Sequence, residues 1–171
     1  MDHRENLMNQ KITPCLWYDG NAREAADFYA SVFKDSDIGK TSNYDEASAE
    51  ASGQPEGSVL VVEFEIAGQK FVGLNGGPHF KFSEAISFMI DCKDQAEVDY
   101  YWTRLTAGGG EESQCGWLKD KFGLSWQVVP TVMSDLVTGP DPEGSKRAMA
   151  AMMKMKKIDI QTIQDAYDGT H

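Results

Sequence analysis

Glu63 and Glu65 sit on one side of an alternating segment whose other side is Leu60, Val62, Phe64 and Ile66. If that apolar side packs on helices, the two carboxylates look toward a cavity or toward solvent. Desolvated, Glu63 could take a proton as a general base; a solvated strand face is the plainer alternative. His79, between Pro78 and Phe80, could relay protons at a cavity edge or be an ordinary loop histidine. Asn75 and Gln127 offer amides that could hold a polar ligand group or fix backbone. Cys115, four residues before Lys119, is a reactive thiol or a buried, inert one, and no histidine adjacent in sequence completes a Cys-His pair. Trp117 could line a pocket for a flat ligand, or belong to a core or an interface.

Composition narrows the classes. The chain has 171 residues, 41% of them hydrophobic and 11% aromatic, enough for a packed interior. Its 27 acidic against 16 basic residues leave a net charge of −11. That sign repels phosphate backbones and anionic lipid, so neither nucleic acid nor membrane is expected as a partner. No apolar run approaches the ~20 residues that cross a bilayer. The start is polar, without the apolar stretch of a secretion signal, and Cys15, Cys92 and Cys115 form no Cys-x-x-Cys, so a cytoplasmic protein with free thiols is expected.

The elements that would position these residues come in two similar sets. Residues 1–10 read as a loose lead-in. Ile12 to Tyr18 reads as a strand, Asp19-Gly20-Asn21 as a turn with Asn21 an N-cap, and Ala22 to Phe33 as a helix. Ser36 to Tyr44 suits a second strand, and residues 45–57, acidic and small, read as a mobile loop. Leu60 to Ile66 and Gln69 to Asn75 form a hairpin, followed by a connection through Ser83. Then the pattern restarts: strand Ala85 to Cys92, turn Lys93-Asp94, helix Gln95 to Leu105, and a hairpin from Gly116 to Pro130 turning at Phe122-Gly123. Placing Gly68 on Gly123 sets Phe71 on Trp126 and Val72 on Gln127. The spacing therefore predicts an α+β fold of two β-α-β-β-β modules, 11–83 and 84–131.

A C-terminal extension, 132–171, completes the chain. Asp141-Pro142-Glu143 opens a helix over Ser145 to Lys156, and Asp159 caps a shorter one, Ile160 to Tyr167, ended by Gly169. Its methionines and isoleucines are too much apolar surface to leave wet, so it packs on the core or on a second copy of the chain.

The first strand with Asp19-Gly20-Asn21-Ala22 and Phe28-Tyr29, repeated as a module and closed by Phe122-Gly123-Leu124-Ser125-Trp126-Gln127, resembles the vicinal-oxygen-chelate superfamily. That is the glyoxalase, bleomycin-resistance and extradiol-dioxygenase fold. Within it the chain is similar to the PhnB-like group labelled 3-demethylubiquinone-9 3-methyltransferase-like, over about Lys11 to Thr131. The resemblance implies sheets curled around a cavity, and a homodimer. It also implies four inward strand positions that hold a metal in the metal-dependent members. Here these fall on Pro14, Val72, Ser87 and Gln127, none a His, Asp or Glu. Imidazole and carboxylate are what a transition metal needs in such a site, so no metal and no cofactor are expected. A bound S-adenosylmethionine would call for a Gly-rich loop after the first strand of a doubly wound sheet, and the turn there has Gly20 alone. The leading expectation is metal-free binding of a small apolar or aromatic molecule, contacted by Pro14, Val72, Asn75, Ser87, Trp117 and Gln127. The alternative is a metal-independent enzyme using Glu63 or His79 for proton transfer.

Overall fold

A computed structural model describes residues 10–170 and divides the chain into two compact units, 1–81 and 82–171. The expected lead-in, residues 1–10, lies almost wholly outside the described residues.

The first unit runs β1 (Cys15–Tyr18), α1 (Ala22–Val32), β2 (Asp37–Asn43), α2 (Glu46–Ser52), β3 (Val59–Ile66) and β4 (Gln69–Asn75). Its sheet has the order β1-β4-β3-β2, with β1 parallel to β4 and the other pairs antiparallel. Pairing begins at Pro14, whose carbonyl accepts from Val72 N–H at 2.9 Å. Proline has no N–H to return, so the strand starts after it rather than at Ile12, which is 82% exposed. Along α1, Ala22, Ala25, Ala26, Tyr29 and Val32 are buried at helical spacing, and Tyr29 stacks on Phe64, which stacks on Phe71. The hairpin closes over Ala67-Gly68 with φ of 48° and 79°, the left-handed pair that matches the twist of two antiparallel strands.

Two local expectations change. Asn21 makes no side-chain cap; instead Asn75 Oδ1, from the end of β4, accepts from Ala22 N–H at 2.9 Å. Residues 45–57 are not a mobile loop throughout, because α2 forms within them. Asp45 accepts from Ser48 N–H while Ser48 Oγ accepts from Asp45 N–H, a reciprocal box that ties down two of the free donors at a helix start. The composition looked loop-like, yet Ala47, Ala49 and Ala51 are strong helix formers.

The second unit repeats the order of strands and first helix, without a counterpart to α2. It runs β5 (Ser87–Cys92), α3 (Gln95–Thr106), β6 (Glu111–Glu112), β7 (Trp117–Lys119) and β8 (Ser125–Pro130), with the sheet order β5-β8-β7-β6. Asp94 Oδ1 caps α3 by accepting from Glu97 N–H. Asp120, 2% exposed, organises the β7–β8 turn: Oδ1 accepts from the N–H groups of Phe122 and Leu124, and Oδ2 from Trp126 Nε1.

The extension belongs to this unit, as α4 (Met133–Val137), α5 (Pro142–Met152) and α6 (Ile160–Asp168). Met133, Leu136, Ala148, Ile158 and Ile163 form its core, with Val129 of β8 packed against it. The apolar tail is thus covered at least in part by its own unit. The backbone N–H groups of Cys115 and Gly116 donate to Met155 and Lys156, latching the tail to the hairpin entry.

Candidate functional site

Alternation gives each sheet a helix-covered face and an open face. In the first sheet Leu16, Tyr18, Val62, Phe64, Ile66 and Phe71 are buried, on the helix side. The ladder sets Cys15 and Glu63 beside Val72, and Glu65 opposite Lys70, on the open side. A cleft of about 400 Å³ lies there, lined among others by Thr13, Asp37, Glu63, Glu65, Lys70 and Val72. Gly39 helps shape it. The β2–β3 register slips between Ile38 and Thr41, and a Cβ on Gly39 would stand 3.2 Å from Glu63 O and 3.3 Å from Glu63 Cβ. Glycine lets the edge strand approach β3 this closely without crowding the Glu63 backbone.

Of the residues singled out in this half, Val72 and Glu63 line the cleft together; Glu63 is exposed, so the protein around it supplies little of the desolvation a general base would use. Pro14 does not line it; Thr13 does, because the ladder puts Cys15 and not Pro14 level with Val72. His79 is exposed and is not among the lining residues. Its neighbour Phe80 packs edge-on against Trp17 at 4.9 Å, and Trp17 Nε1 donates to Gly77 O. Asn75 is 3% exposed with its amide engaged: Oδ1 caps α1 and Nδ2 donates to Val59 O at 3.0 Å. Its position is that of a framework residue.

In the second sheet Ile90, Cys92, Leu118, Trp126 and Val128 are buried, while Ser87, Met89, Trp117, Lys119, Ser125 and Gln127 share the other parity. Ser87 and Gln127 are brought together, Gln127 Nε2 donating to Ser87 Oγ at 2.9 Å, and Trp117 stands opposite Gln127. A smaller hollow of about 120 Å³ is lined by Glu84, Glu111, Trp117, Lys119 and Ser125, among others. Lys119 Nζ lies 2.5 Å from Glu84. That hydrogen bond holds the Glu84 carboxyl below its ordinary range and lifts the Lys119 ammonium above its own. Cys115 is half-buried, its Sγ 3.7 Å from both Met152 O and Met153 Sδ, so the tail covers it. Cys92 is buried, and loss of hydration pushes its thiol up to about 12.

Sequence reasoning missed Thr13, Lys70 and Ser125. The signal for the last two was present, since the Gly68-on-Gly123 match also places Lys70 on Ser125.

The sequence model of the family described as 3-demethylubiquinone-9 3-methyltransferase matches residues 10–129. The chain belongs to that family. A solved Bacillus cereus structure that carries the same label and the name PhnB is 33% identical, with a TM-score of 0.62, over 71% of this chain and 100% of that one. PA1353 from Pseudomonas aeruginosa, 17% identical, shares the fold with a TM-score of 0.56 over 71% of this chain and 98% of that one. The fosfomycin resistance protein FosX from Listeria monocytogenes is 18% identical, with a TM-score of 0.49 over 75% and 96% of the two chains. No curated protein matches the chain. The architecture of this PhnB-like protein, two four-stranded mixed sheets with helices, is of the glyoxalase/bleomycin-resistance type.

The residues at the superfamily's metal positions do not fit a metal. Val72 carries no side-chain donor, Thr13, which takes the place expected for Pro14, offers only a hydroxyl, and Ser87 and Gln127 bond to each other. Among the described residues, no group of three or more His, Cys, Asp or Glu is placed to hold an ion. No helix among them is long and apolar enough to cross a membrane.

Proposed function

We propose that this PhnB-like protein binds a small apolar or aromatic molecule on its open sheet faces, without a metal. The observation that carries the reading is the first-sheet cleft, where Val72 gives an apolar floor and Asp37, Glu63 and Glu65 a mainly acidic rim. A pocket with an apolar wall and a few convergent polar groups suits a small ligand, and this rim favours a neutral or cationic one over an anion. Methyl transfer, which the family description names, is not the reading we favour: both sheets are mixed rather than doubly wound, and the β1–α1 turn holds Gly20 alone. We place the protein in the cytoplasm as a homodimer, with the exposed Ile86 and Met89 as apolar surface for a second copy.

Benzene titrated into the isotope-labelled protein tests the binding reading. The amides of Glu63, Lys70 and Val72 should shift, and Val72→Arg, which fills the cleft, should abolish the response. Shifts confined to residues away from both sheets would overturn it. One observation keeps the proton-transfer reading for Glu63 alone: it lines the cleft beside Val72, whereas His79 does not. Native mass spectrometry of the fresh protein identifies any retained compound. Glu63→Gln should then keep affinity for it and lose its turnover; unchanged turnover removes Glu63 from that role.

A further inference from the structure

We infer that the second sheet carries a hydrogen-bonding subsite for a neutral, single-ring aromatic molecule bearing one hydroxyl group. The inference rests on the open-face binding reading and gives it a place and a ligand class.

Ser125 opens β8 opposite Lys119 on one side and level with Ser87 on the other. It is 1% exposed, and its Oγ is the one buried side-chain oxygen or nitrogen among the described residues without a hydrogen-bond partner. Its neighbour Ser87, by contrast, is bonded to Gln127. A buried hydroxyl left unpaired is unfavourable and is retained where something else completes it. Ser125 lines the hollow of about 120 Å³, a space suited to one ring rather than a fused system. It also holds the position that Lys70 holds in the first sheet, and Lys70 lines the first cleft, so the duplicated fold aims this position at a hollow twice.

The other lining residues set the ligand class. Trp117 supplies an aromatic wall for a ring to lie against. Lys119 is held by Glu84 at 2.5 Å and also feels the charge of Glu111. The carboxylates therefore outnumber the one ammonium, and a carboxylate or phosphate ligand is repelled. A neutral hydroxyl meets no such penalty. It can both donate to and accept from Ser125 Oγ, completing the group that the protein leaves unpaired.

The test uses the full chain, isotope-labelled, titrated in parallel with benzene and phenol. Amides of Trp117, Lys119 and Ser125 report the second sheet, and those of Glu63 and Val72 the first. Phenol is expected to bind at the second sheet about fivefold more tightly than benzene. Ser125→Ala should bring phenol down to the benzene level and leave benzene unchanged. The variant's thermal midpoint should equal or exceed the parent's, since the oxygen removed has no partner in the fold. Phenol binding no tighter than benzene, or unaffected by Ser125→Ala, overturns the subsite while benzene shifts keep the open-face reading. A lowered midpoint also overturns it, because the hydroxyl would then have a structural partner. Silence of both sheets to both probes removes the subsite and the broader reading together.

Discussion

The two sheets use the same positions for different chemistry. On the first, Glu63 stands opposite Val72 and Glu65 opposite Lys70; at the matching positions of the second, Trp117 stands opposite Gln127 and Lys119 opposite Ser125. A carboxylate has become an indole, and the lysine has crossed from one strand of the hairpin to the other. The β-strand alternation fixes which positions face outward, and it is the same in both units. The residues placed there are free of that constraint. Core positions behave in the opposite way: Phe64 and Phe71 correspond to Leu118 and Trp126, all buried and all apolar. Duplication has kept the helix-covered faces alike and let the open faces diverge, as expected if ligand contact rather than folding decides their composition.

The hairpins differ most in how their turns are held, and the largest expected effect lies there. The first needs only Ala67-Gly68. The second spends five residues and one buried carboxylate, Asp120, which accepts three hydrogen bonds. Asp120→Ala would leave buried donors unpaired, at a cost of about 3–4 kcal/mol. Amide exchange along β7 and β8 should then accelerate by two to three orders of magnitude. Exchange unchanged there would mean that the turn residues hold the hairpin without the carboxylate.

The helix starts offer a second contrast, of middle size. The first unit caps α1 from a distance with Asn75, whose amide also reaches Val59 O; the second caps α3 locally with Asp94. Asn75→Ala removes one buried and one partly buried hydrogen bond and should cost about 2–3 kcal/mol. Asp94→Ala removes one exposed cap and should cost about 1 kcal/mol. Urea midpoints of the two variants check the ranking, and equal losses would break the claim that the distant cap is also a framework joint. Both ends of the Asn75 amide are engaged within the fold, so its substitution should weaken small-molecule binding only through stability.

These cases also mark how far the sequence could be read. Alternation in Val59–Ile66 and the match of Gly68 to Gly123 carry the strands, the duplication and the open faces, because a period of two is a local property. What sets a cleft is not local. The slip at Gly39 depends on how close β2 comes to β3, and the cap on Ala22 comes from a residue 53 positions away. Setting Asn21 on Asp94 and Phe28-Tyr29 on Tyr101-Trp102, 73 residues on, puts Pro14 inward with Ser87, whereas the ladder, which pairs Cys15 with Val72 and Met89 with Gln127, sets 74 for β1 and β5. A one-residue slip turns a strand position to the other face, and the ladder decides that register.

The smallest effect concerns the lysine that changed strands. On the second sheet Lys119 Nζ lies 2.5 Å from Glu84, with the two side chains 34% and 61% exposed. Solvent on both partners keeps the contribution of such a pair small. Its pH signature is nevertheless definite. Glu84 is held below its ordinary range by the Lys119 hydrogen bond, so what the pair contributes is present above the usual glutamate range and fades as pH falls through the lowered value. Lys119 is held up by the same bond, so the contribution also fades when pH rises through the raised lysine value. Lys119→Met should move the Glu84 carboxyl titration, followed by NMR, upward toward the ordinary range. A titration that stays put would show that Glu84 is not tuned from β7. The lysine's move across the hairpin would then have altered the second hollow's charge without fixing the acid at its rim.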